Sequence, residues 1–187
     1  MKLSVFASGS SGNCLLLSDH HTHILIDAGI SMRRIQAFLL RAGLFWRDID
    51  GVLITHEHSD HISGLETLAR RTELPVYAPH TVANRLLGRL PCLQDKLRVI
   101  PVGEPFAVGD CTVLAFHTPH DTDESVGYRV EGDAVFALAT DMGAVTDEIC
   151  AGLLGADAVS ATPRAPLKRV RGRVPGFPGR SRADQSR

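Results

Sequence analysis

Apolar residues in the first quarter of the chain recur in short runs that are typical of β-strands. Residues 3–7 alternate apolar and polar positions, and residues 14–17 and 23–27 resume the pattern after Gly/Ser-rich or polar turns. Residues 50–55 form a continuous apolar run of the kind used by a strand that is buried on both faces. We therefore expect several strands near the N-terminus, the last of them inside a sheet.

Helical spacing alternates with these runs along the rest of the chain. Residues 32–42 place Ile35, Phe38 and Leu39 on one face, which predicts a helix. The remaining predicted helices are 61–71, 81–90 and 147–154, and the remaining predicted strands are 75–78, 97–102, 111–116, 126–130 and 134–139. Because strands and helices are interleaved, the sequence predicts a layered α/β domain.

Composition narrows the class of protein further. The chain has 187 residues, of which 44% are hydrophobic and 22% charged, values that suit one globular domain with a proper core. No apolar run approaches the roughly 18 residues that span a bilayer, and the first residues lack the features of a signal peptide. We expect a cytoplasmic location and no membrane partner. Four scattered cysteines without a CxxC pair give no support to a zinc knuckle or a thioredoxin-like site.

Charge divides the chain unevenly. Residues 164–187 carry eight lysine and arginine side chains and one acidic residue, Asp184, whereas the rest of the chain is acidic. This basic stretch is also rich in proline and glycine and lacks a periodic apolar pattern. We therefore predict a domain over residues 1–159 and a disordered basic tail over residues 160–187.

The densest group of polar, potentially reactive side chains follows the apolar run 50–55. His56 and His58 are two residues apart, so an extended chain points both imidazoles the same way. Asp60 and His61 come where the chain turns into the next helix and can face a second position nearby. Three imidazoles and a carboxylate suit Zn²⁺, Mn²⁺ or iron. The alternative is a chance cluster of surface histidines, with Ser59 or Asp60 serving as a helix cap.

The segment His56-x-His58-x-Asp60-His61 resembles the signature of the metallo-β-lactamase superfamily. Four further segments resemble its bacterial YycJ branch, also called VicX or WalJ, whose members are similar to nuclease-type metallohydrolases; they are residues 1–14, 26–29, 119–121 and 139–143. The resemblance covers about residues 1–158. It implies an αββα sandwich of the metallo-β-lactamase type, with the C-terminal part incomplete.

The same resemblance implies two divalent metal ions, zinc or manganese. His56 and His58 would hold the first ion with His120, for which His117 is the alternative. Asp60 and His61 would hold the second ion, and Asp141 would bridge the two, although by itself Asp141 is typical of an ordinary turn. Asp60 would also act catalytically by orienting the nucleophile. We expect Asp27, at the end of an apolar strand, to support these ligands from behind.

The implied activity is metal-dependent hydrolysis of a phosphodiester by a metal-bridged hydroxide, with DNA as the substrate of an exonuclease. Two alternatives stay open: a hydrolase of the same fold acting on another ester or a thioester, and an inactive, truncated metal-binding remnant. No histidine follows His120, whereas the family pattern implies one more ligand for the second ion. We expect that ion to be weakly held. The change of composition near residue 160 favours a truncation or frameshift over a native basic tail that binds nucleic acid. The oligomeric state is left open.

Overall fold

In a computed structural model of the protein, residues 1–169 are described, with side chains over residues 1–162, and they form two β-sheets and five α-helices. The first sheet has the order β1-β2-β3-β4-β5-β6. Its strands are β1 (Lys2–Ala7), β2 (Cys14–Asp19), β3 (Thr22–Ile26), β4 (Gly51–Leu53), β5 (Val76–Pro79) and β6 (Leu97–Ile100). From β3 to β6 the neighbouring strands run parallel, so their carboxyl ends meet at one edge.

The second sheet has the order β11-β10-β9-β8-β7. Its strands are β7 (Pro105–Val108), β8 (Cys111–His117), β9 (Val126–Glu131), β10 (Val135–Val145) and β11 (Ala158–Arg169). Neighbours from β7 to β10 are antiparallel, and β11 runs parallel to β10. The helices are α1 (Met32–Arg41), α2 (Ser59–Ile62), α3 (Leu65–Arg71), α4 (His80–Arg89) and α5 (Asp147–Leu153).

Three clusters of buried side chains place the sheets and helices in layers. Leu15, Leu17 and Ile24 of the first sheet pack against second-sheet residues such as Tyr128 and Phe136, which makes a core between the sheets. The opposite face of the first sheet packs on α1, α3 and α4. A smaller cluster sets α5 against the second sheet. The order helix, sheet, sheet, helix is the predicted αββα sandwich, and burial on both faces explains the continuous apolar runs of the central strands.

The predicted helix 61–71 is wrong in one respect, because the structure divides it into α2 and α3. The break falls at Gly64, whose N–H donates to the Ala28 carbonyl 2.8 Å away. A Cβ at this position would lie 2.0 Å from the Ile30 carbonyl oxygen. The chain after β3 therefore packs directly on the backbone between α2 and α3, and only glycine fits there.

The second sheet also differs from its predicted outline. Strand β7 was not predicted, and β10 continues beyond residue 139 to Val145 with an irregular register between Ala139 and Met142. Strand β11 carries the chain past the predicted domain boundary at residue 159, as far as Arg169. Residues 170–187 of the predicted tail lie outside the described residues, and the boundary stays a prediction. Across the described part of the chain, the helices are too short and too polar to cross a membrane.

Candidate metal centre

The histidine-rich segment begins where β4 ends, at an edge held by both sheets. Ile54 donates its N–H to the Tyr77 carbonyl of the first sheet, at 2.9 Å. From the second sheet, the hydroxyl of the buried Tyr128 donates to the Ile54 carbonyl at 2.6 Å, and the Val126 N–H donates to the Thr55 carbonyl at 3.1 Å. These hydrogen bonds hold the backbone of Ile54 and Thr55 to both sheets, so the segment that begins at His56 starts from a fixed position.

Three imidazoles converge immediately beyond that position. Side-chain nitrogens of His56, His58 and His120 all lie within 4.8 Å of one another. Nε2 of His120 is 3.1 Å from Nδ1 of His58. His56 is fully buried, and its Nε2 atom has no hydrogen-bond partner among the described residues. Buried polar atoms are nearly always satisfied, so this nitrogen indicates a ligand that the protein itself does not provide.

A second group of donors adjoins the first through His56. Ligand atoms of His56, His61 and Asp141 also lie within 4.8 Å of one another. Nε2 of His61 is 2.9 Å from Oδ2 of Asp141 and 3.6 Å from Oδ2 of Asp60. Because His56 belongs to both groups, the structure places two candidate cation positions side by side.

Asp27 organises the second group from behind. Its carboxylate is fully buried and accepts hydrogen bonds from the Thr55 N–H at 2.9 Å and from Nδ1 of His61 at 2.7 Å. With Nδ1 occupied, the other ring nitrogen of His61 faces Asp141. Asp27 (φ 59°) and Asp141 (φ 54°) both have left-handed backbone conformations, which are uncommon outside glycine and cluster at functional sites.

His56 and His61 differ sharply in their pKa values, although both belong to the second group. Burial, together with the neighbouring His61, lowers the pKa of His56 to about 4, so this imidazole is neutral at pH 7. Burial also opposes protonation of His61, but the carboxylates of Asp27 and Asp141 outweigh it and raise its pKa to about 10. The hydrogen bond from His61 lowers the pKa of Asp141. In the metal-free protein the His61 ring is therefore protonated, and it lies between the carboxylates of Asp27 and Asp141.

The Gly/Ser-rich loop before β2 closes one side of the second group. Nδ2 of Asn13 lies 3.0 Å from Nε2 of His61 and 3.4 Å from Oδ2 of Asp60, and its Oδ1 accepts from the Gly9 N–H at 2.9 Å. At Gly12 (φ +129°) a Cβ would lie 2.2 Å from the Gly29 carbonyl oxygen. The loop is thus packed against the site, and Asn13 is a site residue that the sequence reasoning missed.

Glu57 is a second missed residue, and it anchors the loop that carries His120. It is 5% exposed, and its carboxylate accepts hydrogen bonds from Arg85 of α4 and, at 2.6 Å, from the Thr122 hydroxyl. Its backbone carbonyl accepts from Nη1 of Arg89 at 2.9 Å. Burial raises the pKa of Glu57, but the hydrogen bonds from Thr122 and Arg85 together outweigh it, so the pKa is lowered. The sequence did contain a signal for Glu57. In an extended segment, the residue between His56 and His58 points its side chain away from the two imidazoles, toward the neighbouring structure.

The predicted site residues lie together at this edge; they are His56, His58, Asp60, His61, His120 and Asp141. His117, the alternative third ligand, lies exposed at the end of β8 and belongs to neither group. The roles of the six residues as metal ligands stay predictions.

A family model described as a beta-lactamase superfamily domain matches residues 22–170. The chain belongs to this family. Its relatives in the superfamily include the exodeoxyribonuclease YycJ of Bacillus anthracis, 39% identical over 162 residues that cover 84% of this chain and 61% of the relative. The exodeoxyribonuclease WalJ of Streptococcus pneumoniae serotype 2 is 35% identical over 83% of this chain and 60% of the relative. The chain spans about three fifths of the length of these relatives.

Solved structures of other proteins have a similar fold. Zn²⁺-bound PqqB from Methylobacterium extorquens superposes with a TM-score of 0.66 at 23% identity, over 80% of this chain and 59% of that one. The Rm3 metallo-beta-lactamase also gives a TM-score of 0.66, at 22% identity, over 85% of this chain and 74% of that one. At these identities the likeness concerns the fold alone, and it confirms the predicted metallo-β-lactamase class.

Proposed function

We propose that the protein is a metal-dependent phosphodiester hydrolase that degrades DNA as an exonuclease. The observation that carries the proposal is the buried Nε2 atom of His56, which has no hydrogen-bond partner in the described part of the chain although two further imidazoles lie within 4.8 Å. Imidazoles so arranged without a cation would be costly, because burial of an unsatisfied polar atom opposes folding. A divalent metal ion satisfies these nitrogens together.

The donor set fits two such ions of the zinc or manganese type. Imidazole nitrogens of His56, His58 and His120 would hold the first, since nitrogen donors of this kind suit zinc. Asp60 and His61 would hold the second, with Asp141 between the two positions. When bound, the ions supply Lewis acidity, which activates water and neutralises charge that develops on the substrate.

Side chains of the protein itself position the attacking water. Asp60 orients the attacking water and accepts its proton, because its carboxylate lies at the open edge beside His61 and Asn13. Asn13 holds that carboxylate in place through its amide nitrogen. DNA is favoured as the substrate because the relatives from Bacillus anthracis and Streptococcus pneumoniae, at 39% and 35% identity, are named exodeoxyribonucleases.

The direct test is degradation of end-labelled DNA by metal-free protein and by protein loaded with zinc or manganese. We expect labelled nucleotides to be released only by the loaded protein, and the release to stop on chelation. His58→Asn should lower the rate by at least about a hundredfold, because it removes a ligand. The matched control is His21→Asn, an exposed histidine in the β2–β3 turn, which should behave as the wild type.

Two outcomes would contradict the proposal. If the loaded wild-type protein releases nothing from DNA, the nuclease activity is excluded. If it hydrolyses a thioester but leaves DNA intact, the proposed substrate class is wrong, and the protein is a hydrolase of the same fold with a different substrate.

A further inference from the structure

An open groove of about 570 Å³ adjoins the candidate metal centre on the side of α4. Helix α4 forms one wall with Arg85, Gly88 and Arg89, and the loops of the metal centre form the other wall with His58, Ser59 and Asp121. His58 belongs both to this groove and to the three-histidine group. A chain molecule whose reacting atom lies at the metal centre would therefore continue into the groove.

The two arginines of the groove have different surroundings. Arg85 is committed to carboxylates, because its guanidinium donates to Glu57 through one nitrogen and to Asp123 through another. Arg89, one helical turn further on, donates through Nη1 to the Glu57 backbone carbonyl at 2.9 Å. Within the described residues it forms no salt bridge with a carboxylate.

The fixed position of Arg89 suits anion binding. The bond to the Glu57 carbonyl ties its guanidinium to the backbone between His56 and His58, so part of the side-chain entropy is already lost before a ligand arrives. The remaining N–H groups of the exposed side chain are available to the groove. Gly88, beside it, presents no side chain, and a Cβ there would meet nothing within 4 Å. Arg89 therefore brings a positive charge to an uncrowded part of the groove next to the candidate metal centre, in a lining that also includes the carboxylates of Glu57 and Asp121.

We propose that Arg89 binds a backbone phosphate that flanks the scissile phosphodiester, and so selects polynucleotide chains over compounds with a single phosphodiester. This inference rests on the proposed function and adds a specificity-determining residue to it. A guanidinium is well matched to a phosphate, since its planar N–H groups can donate to two oxygens together. Arg85 has the separate role of positioning Glu57.

The test compares two substrates of the zinc-loaded enzyme: a short single-stranded oligonucleotide and bis(4-nitrophenyl) phosphate, which has no flanking phosphate. The measured quantity is the ratio of kcat/KM for the oligonucleotide to kcat/KM for the small diester. Arg89→Met should lower this ratio about tenfold, mainly through KM for the oligonucleotide, since a hydrogen bond to a charged group is lost. For the oligonucleotide, the slope of log(kcat/KM) against log salt concentration should become less negative by about one unit in Arg89→Met. This is the change expected for one fewer phosphate contact.

Two further variants sharpen the comparison. Arg89→Lys keeps the charge but not the two-oxygen geometry, and should recover part of the ratio. Arg47→Met makes the same change of charge at the far end of β4, where Arg47 lies over the Phe45 ring, and should leave the ratio at the wild-type value.

Each outcome decides a separate point. An unchanged ratio in Arg89→Met, with DNA still degraded, overturns this inference and leaves the proposed function standing. An equal loss on both substrates shows that Arg89 acts only by supporting the Glu57 backbone, and also overturns it. If the wild-type enzyme hydrolyses neither substrate, the proposed function fails and this inference fails with it.

Discussion

Nδ1 of His61 lies 2.7 Å from Oδ2 of Asp27, and both side chains are fully buried. The pair joins the end of β3 to the first turn of α2, so it connects two elements that are far apart in the chain. It fixes the plane of the imidazole and leaves Nε2 directed to Asp141. A ligand oriented in this way loses little freedom when it binds a cation.

Replacing Asp27 with asparagine should therefore weaken metal binding at the second group. We expect the affinity for the second zinc ion to fall about 10- to 100-fold, because the partner that orients His61 is lost while the ligands themselves stay. Competition with a chromophoric chelator measures this affinity. Asp95→Asn, at an exposed position before β6, is the matched control. Unaltered affinity in Asp27→Asn would show that the buried pair has a structural role only.

Glu57 gives a prediction for the first group. In Glu57→Ala, Thr122 and Arg85 lose their shared acceptor. The loop that carries His120 then loses one of its links to α4 and keeps those of Asp123 to Arg85 and of Glu124 to Thr81. We expect the affinity for the first zinc ion to fall about tenfold, and Thr122→Val, which removes one hydrogen bond, to have a smaller effect. The same titration measures both variants, with the exposed Glu104→Ala as the control. If Glu57→Ala binds the first ion as tightly as the wild type, the loop is held by other contacts.

The local pattern of apolar residues predicted most elements of the fold but not all of them. The central strands and α1, α4 and α5 were predicted within a few residues, because an apolar run of strand length or a helical stripe marks each of them. The break between α2 and α3 was not predicted. It depends on the close approach of Ala28 and Ile30 to Gly64, and these two residues lie far from Gly64 in the sequence. Strand β7 has only four residues and begins with Pro105, so its apolar run is too short, and the proline too unfavourable, to indicate a strand.

For the site, the dense motif from His56 to His61 pointed to metal chemistry by its residue types and spacing alone. Assigning His120 and Asp141 to it required the family resemblance, because an isolated histidine or turn aspartate has no distinctive pattern. Asn13 and Glu57 act through contacts with residues up to 65 positions away, and such contacts cannot be read from spacing. The left-handed backbone of Asp141 coincides with the irregular pairing of β10 with β11 between Ala139 and Met142, which local pattern does not predict either.

Asp19 provides a prediction about stability and pH that does not involve the metal centre. Its carboxylate, at the end of β2, accepts from the Asp133 N–H at 2.9 Å and so joins the turns of the two sheets. That hydrogen bond lowers the pKa of Asp19 below its usual 3.8. A lowered pKa in the folded state means that the contribution to stability is present above about pH 4 and is lost as the pH falls through the folded value.

Asp19→Asn should therefore be less stable than the wild type at pH 7, by about 1 kcal/mol, because a charged hydrogen bond is replaced by a neutral one. The difference should shrink as the pH is lowered toward 3. Urea unfolding at a series of pH values measures it. A difference that is constant with pH would mean that the carboxylate charge contributes nothing to the bond.

The measurement that tests the central claim most directly is the metal content of the purified, monodisperse protein after equilibration with zinc, determined by elemental analysis for the wild type and for His58→Asn. We predict about two zinc ions per wild-type chain, of which the first resists removal by gel filtration, and the loss of that tightly held ion in His58→Asn. A wild-type chain that retains less than one ion, or a variant that binds as many as the wild type, would contradict a metal centre built on His56, His58 and His120.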